Sequence, residues 1–333
     1  MSQRINSYRL ERRQSTPKVI FGVKPIVYIW LFKPIINLKV VYKSMKILKL
    51  LLTLIHSNIF ISLAAVSFTV ETQIQLGMEP QWHPYLFIIF FATLFEYNLH
   101  RLITIINDRN AVNTQKHGWI KTYPKLFYLL VVVSIIGFLF TVFLANKEVL
   151  IILSPFAVLT LFYSLPIFKK AGILFRLREI PLLKIILISF VWSSVTIMLP
   201  LIQSTIEYQS SHIILMLIER FIFVFAITIP FDIRDFEIDK KAGLKTIPII
   251  IGTKWSISLS RGLILIFMFI CLLHYNTTGM RFIFISLIIS GISTLYFIDS
   301  KKLQRLSYYH YGILDGTMLL QGLLVLILHC VYK

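Results

Sequence analysis

From residue 48 onward the chain is a succession of long apolar blocks separated by short polar ones. Neither the alternation of a half-buried strand nor the one-sided stripe of a soluble amphipathic helix accounts for blocks of this length. A bilayer core about 30 Å thick requires about 20 apolar residues per helix. Nine blocks meet that requirement, near 48–72, 84–106, 125–145, 148–168, 181–203, 212–233, 254–275, 280–298 and 311–331. The pattern predicts an all-α, polytopic membrane protein with nine transmembrane helices.

Composition agrees with that pattern: 57% of the residues are apolar and the mean hydropathy is +0.78, which excludes an ordinary soluble globule. The first residues, "MSQRINSYRLERRQSTPK", are polar, and no short apolar stretch with a small-residue cleavage site follows them, so the spans themselves are expected to direct insertion. Residues 1–47 form a separate basic segment. Its stretch "PKVIFGVKPIVYIWLFKPIINLKVVYKSMK" carries three prolines and regularly spaced lysines, which suits an interfacial segment on anionic membrane lipid better than a tenth span. A basic tail that only sets topology is the alternative. Residues 48–333 are expected to form one membrane domain.

A net charge of +19 raises the possibility of a nucleic-acid partner, but the distribution of the charge argues for no nucleic acid. Lysine and arginine concentrate before Lys49 and in alternate loops, "NDRNAVNTQKHGWIKTYPK", "FKKAGILFRLRE", "DIRDFEIDKKAGLK" and "DSKKLQR". The intervening loops, "QLGMEPQWHP", "ANKE", "QSTIEYQSSH" and "HYNTTGMR", carry almost none. This positive-inside pattern places the N-terminus and the acidic loops in the cytoplasm, and nine spans then place the C-terminus on the opposite side. Cys271 and Cys330 fall inside predicted spans, where helix packing is the expected role.

The sharpest chemical feature interrupts the apolar pattern at the cytoplasmic end of the sixth block. Asp232, Asp235 and Asp239 recur at i, i+3 and i+7, on one helical face, with Glu237 among them. Like charges so placed repel, and a partner is expected: basic side chains such as Arg234, Lys240, Lys241 and Lys245, or a divalent cation with hard oxygen ligands. The acids continue into Gly243, Thr246, Pro248 and Gly252, giving D-x-x-D-x-E-x-D-x-x-x-G-x-x-T-x-P-x-x-x-G.

With that spacing, "DIRDFEIDKKAGLKTIP" resembles the second aspartate-rich motif of the UbiA superfamily of intramembrane prenyltransferases. "LFYSLPIF" and the basic "KKAGILFRLREIPLLK" after it are similar to a tyrosine-and-proline segment and basic loop of that family, and the resemblance extends over about residues 48–331. It implies nine helices around a central apolar cavity and Mg2+-dependent transfer of an isoprenoid chain from a polyprenyl diphosphate donor to a hydrophobic acceptor. Asp235 and Asp239 would hold Mg2+ with support from Asp232. Lys169, Lys170, Arg176 and Arg178 would clamp the diphosphate, charge neutralisation being the strongest lever on such a leaving group. Tyr163 would offer its ring to a carbocation or its hydroxyl to phosphate. Asp315, a carboxylate just inside the last span, would line the acceptor side or pair with a neighbouring helix.

The family's first motif, an asparagine-aspartate pair with further aspartates at helical spacing, has only a partial counterpart in "FEYNLHRLITIINDRN". Asn98 matches the asparagine, but Leu99 and Leu102 stand where aspartates are expected, with His100 and Arg101 beside them. Arg101, with His100 if protonated, would then face the diphosphate as fixed positive charge. The same leucines favour a rival reading, a non-catalytic binder or carrier of isoprenoid lipid. A transporter would show discontinuous midplane helices and repeated halves. A CDP-alcohol phosphotransferase would need an aspartate-glycine-x-x-alanine-arginine opening, which "DGTMLL" at Asp315 does not supply.

Overall fold

A computed structural model describes residues 38–107, 118–165, 168–170, 173–175, 177–204 and 208–332. The chain divides into two compact units, Met1–Leu50 and Leu51–Lys333. All that follows concerns the second, together with the helix that leads into it.

Helix α1 (Leu38–His56) is followed by α2 (Ile59–Gln75), α3 (Pro84–Asn107), the short α4 (Gly118–Thr122), α5 (Pro124–Phe143) and α6 (Lys147–Ser164). A small antiparallel hairpin, β1 (Phe168–Lys170) and β2 (Ile173–Phe175), pairs Phe168 with Phe175 and Lys170 with Ile173. Then come α7 (Leu183–Gln203), α8 (Ser210–Arg234), α9 (Phe236–Lys241), α10 (Ile247–Ile251), α11 (Thr253–Thr278), α12 (Arg281–Asp299) and α13 (Lys301–Gln304). A π-helical turn, Tyr309–Leu314, leads into α14 (Asp315–Tyr332).

Among the described residues eight helices are long and apolar enough to cross a membrane, and a ninth span exists if Lys46–His56 and Ile59–Gln75, bent by 76°, count as one. The block expected at 48–72 is therefore two helices with a sharp break between them. The break sits at Asn58, whose φ of 66° is left-handed, a conformation that asparagine tolerates far better than a branched residue does. A second asparagine holds it: Asn58 Nδ2 donates to Asn98 Oδ1 at 2.9 Å, and Asn98 Nδ2 donates to the carbonyls of Leu94 at 2.9 Å and Ser57 at 3.4 Å.

The helices pack into one bundle. Helix α14 lies along α2, α8 between α7 and α11, and α3 against both α2 and α5. Phe68, Phe223, Phe267 and Tyr275 are fully buried at the centre, while Ile136, Leu139, Phe140 and Phe143 of α5 are exposed, as lipid-facing positions are in a bilayer. Without a hydrophobic drive between helices in lipid, close approach of small residues does the joining. A Cβ on Gly322 would lie 2.4 Å from the backbone oxygen of Ser67, so α14 meets α2 almost backbone to backbone.

Polar groups segregate to two levels of the bundle. At one, Arg220 Nη2 donates to Glu71 Oε1 at 2.9 Å and to Gln75 Oε1 at 3.0 Å, and Gln321 Nε2 donates to Glu71 Oε1 at 3.0 Å. His274 bridges Glu219 and His212 through 2.7 Å contacts on its two ring nitrogens. This network joins α2, α8, α11 and α14 and is sealed: Glu71, Glu219, Arg220 and Gln321 are each at most 2% exposed. The second level lies about 18 Å further along α8, at a rise of 1.5 Å per residue, and there the bundle opens into a cavity.

Candidate functional site

Helix ends build this cavity, of about 240 Å³. The end of α3 contributes Glu96, Tyr97, His100 and Arg101; the end of α6 contributes Tyr163; the turn after the hairpin contributes Arg178. Lys184 comes from the first turn of α7, Asp232, Arg234 and Asp235 from the end of α8, and Tyr311 and Asp315 from the π-helical turn and the start of α14. Towards the bundle centre the wall becomes apolar, with Ile61, Ile188, Val191, Trp192, Val224 and Met318. One end therefore offers charge and the other hydrocarbon contact, the division an amphiphile with a charged head requires.

Most of the residues expected from sequence come together here: Asp232, Asp235, Arg101, His100, Tyr163, Arg178 and Asp315 all line the cavity. Asp232 is 2% exposed, and its Oδ1 accepts a hydrogen bond from Lys184 Nζ at 2.7 Å. Asp235 receives a fork of two 2.8 Å hydrogen bonds from Arg234 Nε and Nη2. That guanidinium is itself stacked between Phe231 and Tyr311, 5.2 and 5.0 Å from the ring centroids, and its Nη1 is buried without a hydrogen-bond partner. Arg178 lies 5.8 Å from the Tyr163 ring centroid, and its Nη1 is in contact with His100 Nε2. Arg101, 5% exposed, donates to the His56 carbonyl. The Asp315 carboxylate lies within electrostatic reach of both Arg234 and Arg101.

Two expected residues stand apart from the cavity wall. Asn98, expected to touch substrate, is fully buried in the hydrogen bonds that fix the break at Asn58. Asp239 sits one turn beyond Asp235 on α9, 8% exposed, with Oδ2 buried and unpartnered. Burial holds its carboxyl above the usual aspartate range, against the opposing pull of Lys184. Lys169 and Lys170 belong to β1, but their side chains, like all of Arg176, lie outside the described residues.

Sequence reasoning passed over Glu96, Lys184 and Tyr311 as site residues, and treated Arg234 only as a surface partner for the acids. Lys184 and Glu96 carried a readable signal, an ionisable group inside an apolar block. Tyr311 carried none, because its place in the wall depends on the π-helical turn before α14.

The chemistry of the acidic motif suits a divalent ion better than its arrangement does. Asp232, Asp235 and Asp239 supply hard carboxylate oxygens that interact electrostatically with one another, and Asp239 Oδ2 lacks a partner. Yet among the described residues no three His, Cys, Asp or Glu side chains converge as a ready metal site, and Lys184 and Arg234 engage oxygens of two of the three. An ion here would compete with those cations. At the position of the first motif, Leu99 and Leu102 offer no oxygen at all.

Comparison with known proteins gives the chain and its fold their relatives. The sequence model of the UbiA prenyltransferase family matches residues 121–307, more than half of the chain. A UbiA homolog from Archaeoglobus fulgidus, solved bound to GPP and Mg2+, is similar over 82% of this chain and 99% of that one, at 17% identity and a TM-score of 0.55. The apo structure of a UbiA homolog from Aeropyrum pernix K1 is similar over 81% and 97%, at 14% identity and a TM-score of 0.54. A structure reported for digeranylgeranylglyceryl phosphate synthase in membranes is similar over 85% and 97%, at 18% identity and a TM-score of 0.50. At such identities the structural likeness is one of fold. No curated protein matches the chain.

Proposed function

This chain belongs to the UbiA prenyltransferase family, and from that premise we propose that it moves an isoprenoid chain from its diphosphate to a hydrophobic acceptor, an aromatic ring or a lipid. The observation that carries the proposal is the polarity of the cavity: Asp232, Asp235, Arg101 and Arg178 at one end, and an aliphatic and indole wall at the other. A diphosphate head and a hydrocarbon tail match the two ends.

In this reading Arg178 and Arg101 bind the diphosphate, their planar forks suiting phosphate oxygens better than ammonium groups would. Lys169, Lys170 and Arg176 of the basic loop assist them, and His100, in contact with Arg178, orients that guanidinium. The apolar wall excludes water from the allylic carbon as its bond to oxygen breaks. The face of Tyr163 stabilises the resulting cation, and Asp315 faces the acceptor. Asn98 acts at one remove by fixing the break at Asn58, beside the His56 carbonyl that is the acceptor for Arg101. Asp235 and Asp239, with Asp232, are the proposed Mg2+ ligands. A bound ion would neutralise charge on the leaving diphosphate. The basic segment 1–47 is proposed to rest on anionic lipid.

The test is turnover by the purified protein in lipid with isoprenoid diphosphates and a panel of acceptors. Asp235→Ala and Asp239→Ala are expected to lower the rate by about 100-fold or more, the usual scale for losing an electrostatic stabiliser of the transition state. Unchanged transfer in both variants would remove the metal assignment. A second reading, an isoprenoid-lipid binder without chemistry, is favoured by one observation, that Asp232 and Asp235 are already ion-paired. Tight binding of the diphosphate with no turnover for any acceptor would select it.

A further inference from the structure

Four fixed cations line the cavity, Arg101, Arg178, Lys184 and Arg234, and they fall into two classes. Lys184 and Arg234 each hold an aspartate of the acidic motif at 2.7 and 2.8 Å. Arg101 and Arg178 make no ion pair with a carboxylate among the described residues. Arg101 is the more telling of the two. A guanidinium carries five N–H donors, and among the described residues the one acceptor for Arg101 is the neutral carbonyl of His56. At 5% exposure in the last turns of a span, such a charge is costly unless an anion meets it. Asp315, which lines the same cavity, makes no ion pair with Arg101.

The neighbours extend the same surface. His100 brings Arg178 alongside. Arg234 lines the same cavity, and its Nη1 is a buried donor without a hydrogen-bond partner among the described residues. Leu99 and Leu102, on either side of Arg101 in sequence, bring it no carboxylate.

We infer that the anion site contains a metal-free guanidinium clamp, in which Arg101, Arg178 and the spare edge of Arg234 take the diphosphate oxygens directly. This deepens the proposed function and rests on its donor being a diphosphate. Part of the donor's affinity then belongs to the protein alone. An arginine fork also fixes the direction of the phosphate oxygens.

Binding of geranyl S-thiolodiphosphate, which resists ionisation, and of inorganic pyrophosphate to the full chain in detergent separates the possibilities. Both are measured calorimetrically in EDTA and in saturating Mg2+. The wild type is expected to bind the thiolodiphosphate in EDTA within about 10-fold of its affinity in Mg2+. Arg101→Gln is expected to weaken the EDTA affinity by about 10- to 100-fold, the scale of one or two lost charge-assisted hydrogen bonds, while Arg101→Lys recovers part of it. Pyrophosphate should show the same ranking, since the clamp reads the head and not the tail. Thermal unfolding of each variant checks that it is folded, and Arg178→Gln, at a half-buried position, stands in if Arg101→Gln does not fold. Wild-type binding that vanishes in EDTA, or that ignores both arginine substitutions, overturns the clamp and leaves the donor reading intact. Absence of thiolodiphosphate binding under every condition overturns the donor reading and the clamp with it.

Discussion

Lys184 is the residue on which the state of the acidic motif turns. Its ammonium occupies Asp232 at 2.7 Å while 16% exposed, and Asp232 has almost no access to water. Removing one partner of so buried a pair leaves an uncompensated charge, at a cost of about 3 kcal/mol. Lys184→Met is therefore expected to lower the melting temperature in detergent. Because it also clears a carboxylate for a divalent ion, added Mg2+ should restore more of that loss than it adds to the wild type; equal shifts in both proteins would show that Lys184 does not compete with a metal. At this scale the sequence was informative about acids and less so about their partners. The spacing of Asp232, Asp235 and Asp239 marks the motif without any structure, but Lys184 lies 48 residues from Asp232, and its pairing is a matter of how α7 crosses α8. Asn98 shows the converse, since its identity fits the motif while its hydrogen bonds serve the bend at Asn58.

The spans themselves were legible because length and hydrophobicity are one-dimensional properties, and the helices from α3 to α14 follow the apolar blocks closely. The break in the first block was not, for "LTLIHSNIFISL" contains no proline or glycine to mark it and the deciding contact comes from α3. The hairpin in the basic loop was equally hidden, its strands being three residues long. Helix contacts follow from small residues that periodicity cannot rank. Gly322 and Gly262 look alike in sequence, yet a Cβ on Gly322 would press into the backbone of α2, whereas one on Gly262 meets nothing within 4 Å. Backbone cannot move aside as a side chain can, so Gly322→Ala should part α14 from α2 and destabilise by about 2 kcal/mol or more. Gly262→Ala should be neutral or stabilising by up to about 1 kcal/mol, through helix propensity. Melting temperatures of the two variants in the same detergent make the comparison, and a larger loss at Gly262 would contradict this account of the packing.

For the whole molecule, charge distribution and chemistry point the same way across the membrane. Arg178 follows the hairpin in one basic loop, and Asp235 opens the short helix α9 with its Lys240 and Lys241, so the cavity's polar end and the lysine-rich connections share one face of the bundle. By the positive-inside rule that face would be cytoplasmic, and under the proposed function a multiply charged diphosphate, which does not cross a bilayer unaided, would be met there. The opposite end, closed by the Arg220 and Glu219 network, gives a charged head no entry. The proposed function thus requires one orientation, which can be measured by itself. With Cys330, an exposed thiol, replaced by serine, a single cysteine is placed at Asn146 between α5 and α6 or at Lys241 on α9, both exposed positions. A membrane-impermeant maleimide added to intact cells should label Asn146→Cys at once and Lys241→Cys only after permeabilisation. The reverse pattern would put the charged mouth of the cavity on the far side of the membrane, out of reach of a cytoplasmic diphosphate, and the donor would have to be a lipid already flipped across.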